Sequence, residues 1–459
     1  MMRLSWTQPE DLLIHELAQS AAEGKDISAI REIWISAGGS TVATRNGASP
    51  APASTEQRRL AARLIDELDA LPAPPDEARP ATLPAIEADG RALPKLRMPG
   101  DDLADRIHGA WLGRAAGCLL GKPVEKLPPE GIREILSSTG RWPLRGYFTA
   151  QDLPADVAAR WPWNRRSATT SLVENISGMP EDDDLNYPIL NLALLESAGL
   201  DFTVDDVAQA WLDNLPAGRV FTAERIAYRN LLEGTDPGLC GRTRNPFREW
   251  IGALIRADVY GWVSPGDPRR AARMAYEDAR LSHTGDGIHG AMWVAGMSAA
   301  AVVADSVDEV LDAGAAVIPT QSALAAAADF GRDLAARGGA LDDGLAELAD
   351  RFAGVHWVHV LNNAATISWA LSRGGGHLET SAPLAVMAGW DTDSAGATVG
   401  ALAGALSGRG ELPGAWIDPL DDRIRTSLPG LDGVRISDLA ERTLRLAEQS
   451  RNKRNEVLQ

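Results

Sequence analysis

Cysteine is nearly absent. Cys118 and Cys240 are the only two in 459 residues, so there is no disulfide framework, and no CxxC or Cys/His spacing suggests zinc. Basic residues are outnumbered, 45 against 63 acidic, for a formal net charge of −18. That excludes nucleic acid or anionic lipid as a partner through bulk charge, and suits a host for cations. No stretch approaches ~20 uninterrupted apolar residues, so no membrane span is expected. The opening MMRLSWTQPEDLLIHELAQ carries acids where a signal peptide has an apolar run, and the chain reads as cytoplasmic. No GxGxxG or Walker loop follows a strand pattern, which leaves no sign of a dinucleotide fold or a P-loop. GxSxG is also missing, and neither cysteine has a neighbouring base, so nucleophilic catalysis is not expected.

What is present is helix. A 45% hydrophobic share provides for a real core. DDLADRIHGAWLGRAAGCLLG, YPILNLALLESAGL, TVDDVAQAWLDNL, PRRAARMAYEDARL and SALAAAADFGRDLAAR all carry the 3.6-residue period. Alternating β-branched runs hardly occur, and the fold class is all-α. Residues 1–71 hold helical patterns, the clearer being TEQRRLAARLIDELDAL with Thr55 as N-cap. Residues 72–100 are rich in Pro and Ala and read as an extended linker. The main domain is expected over residues 101–459.

Glycine recurs every four residues in two helices, at Gly109, Gly113, Gly117 and Gly121 and again at Gly396, Gly400 and Gly404. Each glycine inside a helix costs up to about 1 kcal/mol against alanine, so a repeated stripe implies a close approach, usually of another helix backbone. Both helices adjoin acids. GWDTDSAG sets Asp391, Asp393 and Ser394 between apolar flanks, and GMPEDDDLNY offers Glu181, Asp182, Asp183 and Asp184 before a helical run. Each reads alone as a helix start, with caps and first-turn acids. Four consecutive acids repel one another more than capping requires, however. If the two turns meet, Asp182, Asp183, Asp391 and Asp393 place about four negative charges at one locus, which two divalent cations would balance. Carboxylate and hydroxyl ligands suit Mg²⁺ or Mn²⁺ rather than zinc.

The order of these motifs resembles the ADP-ribosylglycohydrolase family, all-α enzymes with two magnesium ions. DRIHGAWLGRAAGCLLGKPVE is similar to the family's first helix and the loop that leads to a glutamate, here Glu125. EDDD stands where the family has a Thr-Asp-Asp-Thr motif, and GWDTDS matches its Asp-x-Asp-Ser/Thr motif. NPFREWIGALIRAD and LSHTGDGIHGAMWVAGMSAAA resemble middle helices of a larger bacterial branch. The resemblance spans about Asp101 to Leu406. It implies a hydrolase of an N- or O-glycosidic bond to ADP-ribose. Its partner would be an ADP-ribose-containing small molecule or an ADP-ribosylated protein.

Carried over by position, Asp182, Asp183, Asp391, Asp393 and Ser394 would ligate the metals, with Glu181 as a further ligand. Glu125 would move the proton or position the water, and Asp183 would share in catalysis. Asn245, Arg248, His283 and Gly285 would contact substrate. Arg244, Arg248 and Arg256 are candidates to pair with a diphosphate, or are ordinary arginines. Two departures stand out: Glu181 and Asp184 replace the family's two threonines. Two alternatives remain, a hydrolase of a smaller ribosyl compound such as a nucleoside, and a binding or structural protein that keeps only the fold. The first is favoured if the arginines around NPFREW turn away from the site.

Overall fold

The computed structural model describes residues 3–76 and 80–458. Residues 77–79 of the expected linker therefore lie outside the described residues. Twenty-two α-helices, short 3-10 turns and one antiparallel ribbon (Arg423–Ile424 with Val434–Arg435) make up the regular structure among the described residues. The chain is all-α. No described helix is long and apolar enough to cross a membrane.

The expected helices form where side chains close their first turns. Val204–Asn214 starts on a capping box between Thr203 and Asp206, and Ala323–Arg337 starts on Ser322. Thr55–Ala70 is capped one residue earlier than expected. Ser54 accepts from Gln57 N, and the Gln57 side chain returns a bond to the Ser54 backbone, so Thr55 is the first helical residue instead.

At the centre, helices Leu103–Gly121 and Thr392–Ser407 run antiparallel and almost touch. A Cβ at Gly109, Gly113 or Gly117 would strike the carbonyl oxygen of Gly404, Gly400 or Gly396 respectively. Only hydrogen fits between these backbones, which is why both stripes are glycine. The approach has a directional result. It sets the C-terminus of the first helix beside the N-terminus of the second, where Thr392 Oγ1 donates to Gly121 O at 2.8 Å.

The N-terminal helices Pro9–Ala22, Ser28–Ser36 and Thr55–Ala70 dock on this body. Arg248 donates to Glu16 Oε2 at 2.9 Å and to Glu23 Oε1 at 2.7 Å. Trp6 meets Phe247 and Trp250 edge-on, each with ring centroids 5.4 Å apart. Residues 80–100 lie as a strap against the body. It contains the Leu83–Ala88 helix with Ile86 buried, and it is tied down by Arg91 to Asp329 at 2.7 Å and by Thr320 N to Asp89 at 2.9 Å.

Candidate active site

The loop that follows the first glycine helix is shaped for a carboxylate. Leu103–Gly121 passes into a 3-10 turn at Lys122–Val124, where Pro123 stops the helix, and Glu125 is extended beyond it. Lys126 N donates to Trp390 O and Trp390 N to Leu127 O, both at 2.7 Å. This reciprocal pair fastens Glu125 beside the turn that precedes Asp391. The turn itself uses positive φ at Gly389 and Trp390, and a Cβ at Gly389 would also press on Pro129 N. A tryptophan held in the left-handed region is strained, and such strain gathers at functional sites.

The third wall is the start of helix Asp183–Ala198. Asp182 is its N-cap, accepting from Asp184 N at 3.0 Å. Ser394 Oγ lies 2.9 Å from Asp391 Oδ1 and 3.3 Å from Asp184 Oδ2, so the two acidic turns meet. Arg114, wholly buried, holds the second turn by donating to Asp184 O at 2.9 Å and pairing with Asp258. Lys122 Nζ pairs with Asp182 and donates to Glu181 O at 3.2 Å. Glu125 is held from both sides, by Lys126 Nζ at 2.8 Å and by Asn164 Nδ2.

Charge at this locus is unbalanced. Burial, with Asp182 and then Glu125 nearby, pushes the Asp183 carboxyl well above the usual carboxylate range. Burial and Asp182 do the same to Asp184 against the pull of Arg114, and burial with Glu125 does so to Asp393. Asp391 is pushed up to about 7 by burial and by Glu125. Asp182 alone goes down: burial raises it, but Lys122 and the hydrogen bonds from Asp184 together outweigh that effect. Asp391 Oδ2 is buried without a hydrogen bond, and Asp184 Oδ1 has only the Arg114 guanidinium at 3.6 Å. Buried carboxylate oxygens without donors are costly. The donor set is one serine hydroxyl and several carboxylates with more negative charge than the local cations supply, which fits hard divalent ions. Asp182, Asp184 and Cys118 also place one oxygen or sulfur each within 4.8 Å of one another.

A model of the ADP-ribosylglycohydrolase family matches residues 99–455. The chain belongs to that family. Its family is one of glycohydrolases that act on ADP-ribosylated substrates. A solved structure named "ADP-ribosylglycohydrolase-related protein complex" is 22% identical, with the match covering 76% of this chain and 100% of that one at a TM-score of 0.43. No curated protein matches the sequence.

The expected site residues of this glycohydrolase family member fall into three sets. Glu125, Asp182, Asp183, Asp391, Asp393 and Ser394 come together. Glu181 stands aside: Arg219 Nη1 takes its Oε2 at 3.2 Å and Asn186 Nδ2 its Oε1 at 2.9 Å. Asn245, Arg248, His283 and Gly285 are framework instead. Asn245 is wholly buried, donating to Ala223 O and Ser282 O and accepting from Phe247 N. Arg248 has its nitrogens on Glu16, Glu23 and Asn245 O. His283 is buried against Ser282 Oγ at 2.8 Å, with burial and Arg256 keeping its imidazole neutral. Gly285 makes a left-handed turn against Glu249. A buried guanidinium needs carboxylates more than a ligand does, so Arg248 closes the N-terminal interface rather than a substrate. Arg244 pairs with Asp66 at 2.5 Å and Arg256 with Asp278 at 2.6 Å.

Sequence reasoning missed Lys122, Arg114 and Asp184 as members of the locus. The signal for Asp184 was its place in the acid run. Lys122 and Arg114 carried none, since a lysine in a loop and an arginine on a helix read as solvent-facing.

Proposed function

We propose that the chain is a magnesium-dependent hydrolase of an N- or O-glycosidic bond to ADP-ribose, acting in the cytoplasm. The observation that carries this is the meeting of Asp391 and Asp184 across Ser394, with a buried carboxylate oxygen on each side that no hydrogen bond satisfies. Asp182, Asp183, Asp391, Asp393 and Ser394 would hold two Mg²⁺ ions, with Mn²⁺ able to replace them. When bound, the ions supply charge that orients a ribose diol and a water. Lys122 fixes Asp182, and Arg114 fixes the backbone of Asp184, so the second turn is preorganised. Asn164 and Lys126 aim the Glu125 carboxylate. Glu125 takes a proton from the attacking water as its oxygen bonds the anomeric carbon, and returns it to the departing nitrogen or oxygen. Asp183 is the second acid of that pair, close enough to Glu125 for the two charges to influence each other.

A second reading, a hydrolase of a smaller ribosyl compound, draws support from the engagement of Arg244, Arg248 and Arg256 elsewhere. Calorimetric titration of ADP-ribose, in Mg²⁺ and after chelation, separates the two. Binding that depends on metal is expected, whereas no binding to a folded protein in Mg²⁺ points to the smaller substrate. Asp391→Ala is expected to abolish divalent-ion binding with helicity kept, and unchanged metal affinity there would falsify the metal site. Glu125→Ala is expected to bind ligand but turn over about 10²-fold or more slower.

A further inference from the structure

The first 98 residues lie outside the family match, yet they reach the rim of the acidic site. A cavity of about 410 Å³ opens beside Trp390, the residue before Asp391, and Ala43 and Arg45 of the extension form part of its wall with Trp357 and Asn362. That volume is within the range of small-molecule sites. The Arg45 guanidinium lies 4.6 Å from the centroid of the Trp390 ring, and Arg45 O accepts from Trp357 Nε1 at 3.1 Å. The segment is anchored from behind, by Trp6 N to Gly47 O at 2.6 Å and Ser49 N to Asp11 Oδ2 at 3.0 Å. Arg45 is therefore placed by the docked extension.

The lining has a recognisable chemistry. Two indole rings offer flat faces, and Asn362 Oδ1 is a buried acceptor that no donor reaches. Among the described residues no carboxylate pairs with Arg45, which leaves its charge for a ligand. Lys126, which holds Glu125, lies 5.8 Å from the Trp357 ring and links the proton-transfer group to the same wall. Trp390 adjoins Asp391 in sequence, and Arg45 lies over its ring on the wall that Trp357 shares. In ADP-ribose the diphosphate adjoins the ribose whose bond is cut, and Arg45 is the cation beside the residue that precedes Asp391. The arginines expected to meet a diphosphate are all engaged in the framework, and Arg45 is the cation that remains over the cavity.

We propose that the N-terminal extension completes the substrate site, with Arg45 as a specificity residue that binds the diphosphate of ADP-ribose. This rests on the ADP-ribose reading. The test is calorimetric titration of ADP-ribose in Mg²⁺ into the full chain and into Arg45→Ala, Arg45→Glu and Arg45→Lys, with Mg²⁺ affinity measured for each. Arg45 is exposed, so these variants spare the core. Losing a charge-assisted contact should weaken ADP-ribose about tenfold in Arg45→Ala, and more in Arg45→Glu. Arg45→Lys should recover most of the loss, and Mg²⁺ affinity should stay the same in all. Wild-type affinity in Arg45→Ala overturns the proposal, as does Arg45→Lys no better than Arg45→Ala. If the unaltered chain binds no ADP-ribose, the substrate reading fails and this inference with it. If it binds and the variants match it, the inference alone fails.

Discussion

Arg248 and Lys122 are both buried cations, and their surroundings are opposite. Arg248 is ringed by Glu16, Glu23 and a backbone carbonyl, so its charge is met on every side. Lys122 pairs with Asp182 but faces a locus where Asp183, Asp184, Asp391 and Asp393 are all raised by burial and then by a neighbouring carboxylate, Asp182 or Glu125. The first arrangement closes an interface. The second leaves more carboxylate groups than the local cations can balance. The interfaces that carry them differ in the same way. The extension docks through side chains, with aromatic edges and ion pairs, while the glycine helices dock backbone to backbone with no side chain between them.

The contrast can be broken most forcefully at Arg248. Arg248→Ala leaves Glu16 and Glu23 without their partner and is expected to cost about 3–5 kcal/mol. Urea unfolding should show it together with early proteolysis of the extension, and a loss below about 1 kcal/mol would mean that water already reaches those acids.

Next comes the backbone contact. Gly113→Val drives methyl groups into the Gly400 carbonyl, and overpacking of this kind costs roughly 1–3 kcal/mol. Because this contact also sets Glu125 against Asp391, affinity for Mg²⁺ should fall along with stability. Lost stability with metal binding intact would show that the two ends hold each other without the helix pair.

The smallest effect is one of pH, and it has opposite signs in the two regions. His15 and His356, 5.4 Å apart at the extension interface, are pushed down to about 4 and about 3, first by burial. Their folded values lie below the unfolded 6.5. The stability they give is therefore present above pH 6.5 and is lost as pH falls toward 4, by at most about 1.4 kcal/mol per pH unit for each. Asp391, raised to about 7, behaves inversely in metal-free protein. Its stabilising contribution is full below its unfolded value near 3.8 and disappears as pH rises through 7. Acidification from pH 7 to 5 should loosen the extension, read by limited proteolysis, while relieving repulsion in the metal-free cluster, read by thermal melting with and without Mg²⁺. Parallel responses in both readouts would mean that one group of charges dominates the molecule.

Much of this was legible in the chain. The period of Leu103–Gly121, the spacing of both glycine stripes and the apolar flanks of GWDTDSAG each state a local physical requirement. What was not legible involves residues whose partners lie far away in sequence. Asn245, Arg248 and His283 have the residue types of a ligand site, and only the docking of Pro9–Ala22 and the packing around Glu224 decide that they face protein. Residues 72–100 have a linker's composition, yet within the described part, 80–100, Glu87 and Arg91 form ion pairs to Arg273 and Asp329 on the body.

The sequence by itself determined the helices, because amphipathic period and capping act within a few residues. It also determined that two acidic turns exist beside glycine helices. Only the tertiary structure decided that those turns meet, that Lys122 and Arg114 lie among them, and that Arg45 from the extension stands over Trp390. Coulomb energy and burial depend on distance in space, and that distance is set by how closely two glycine backbones can approach.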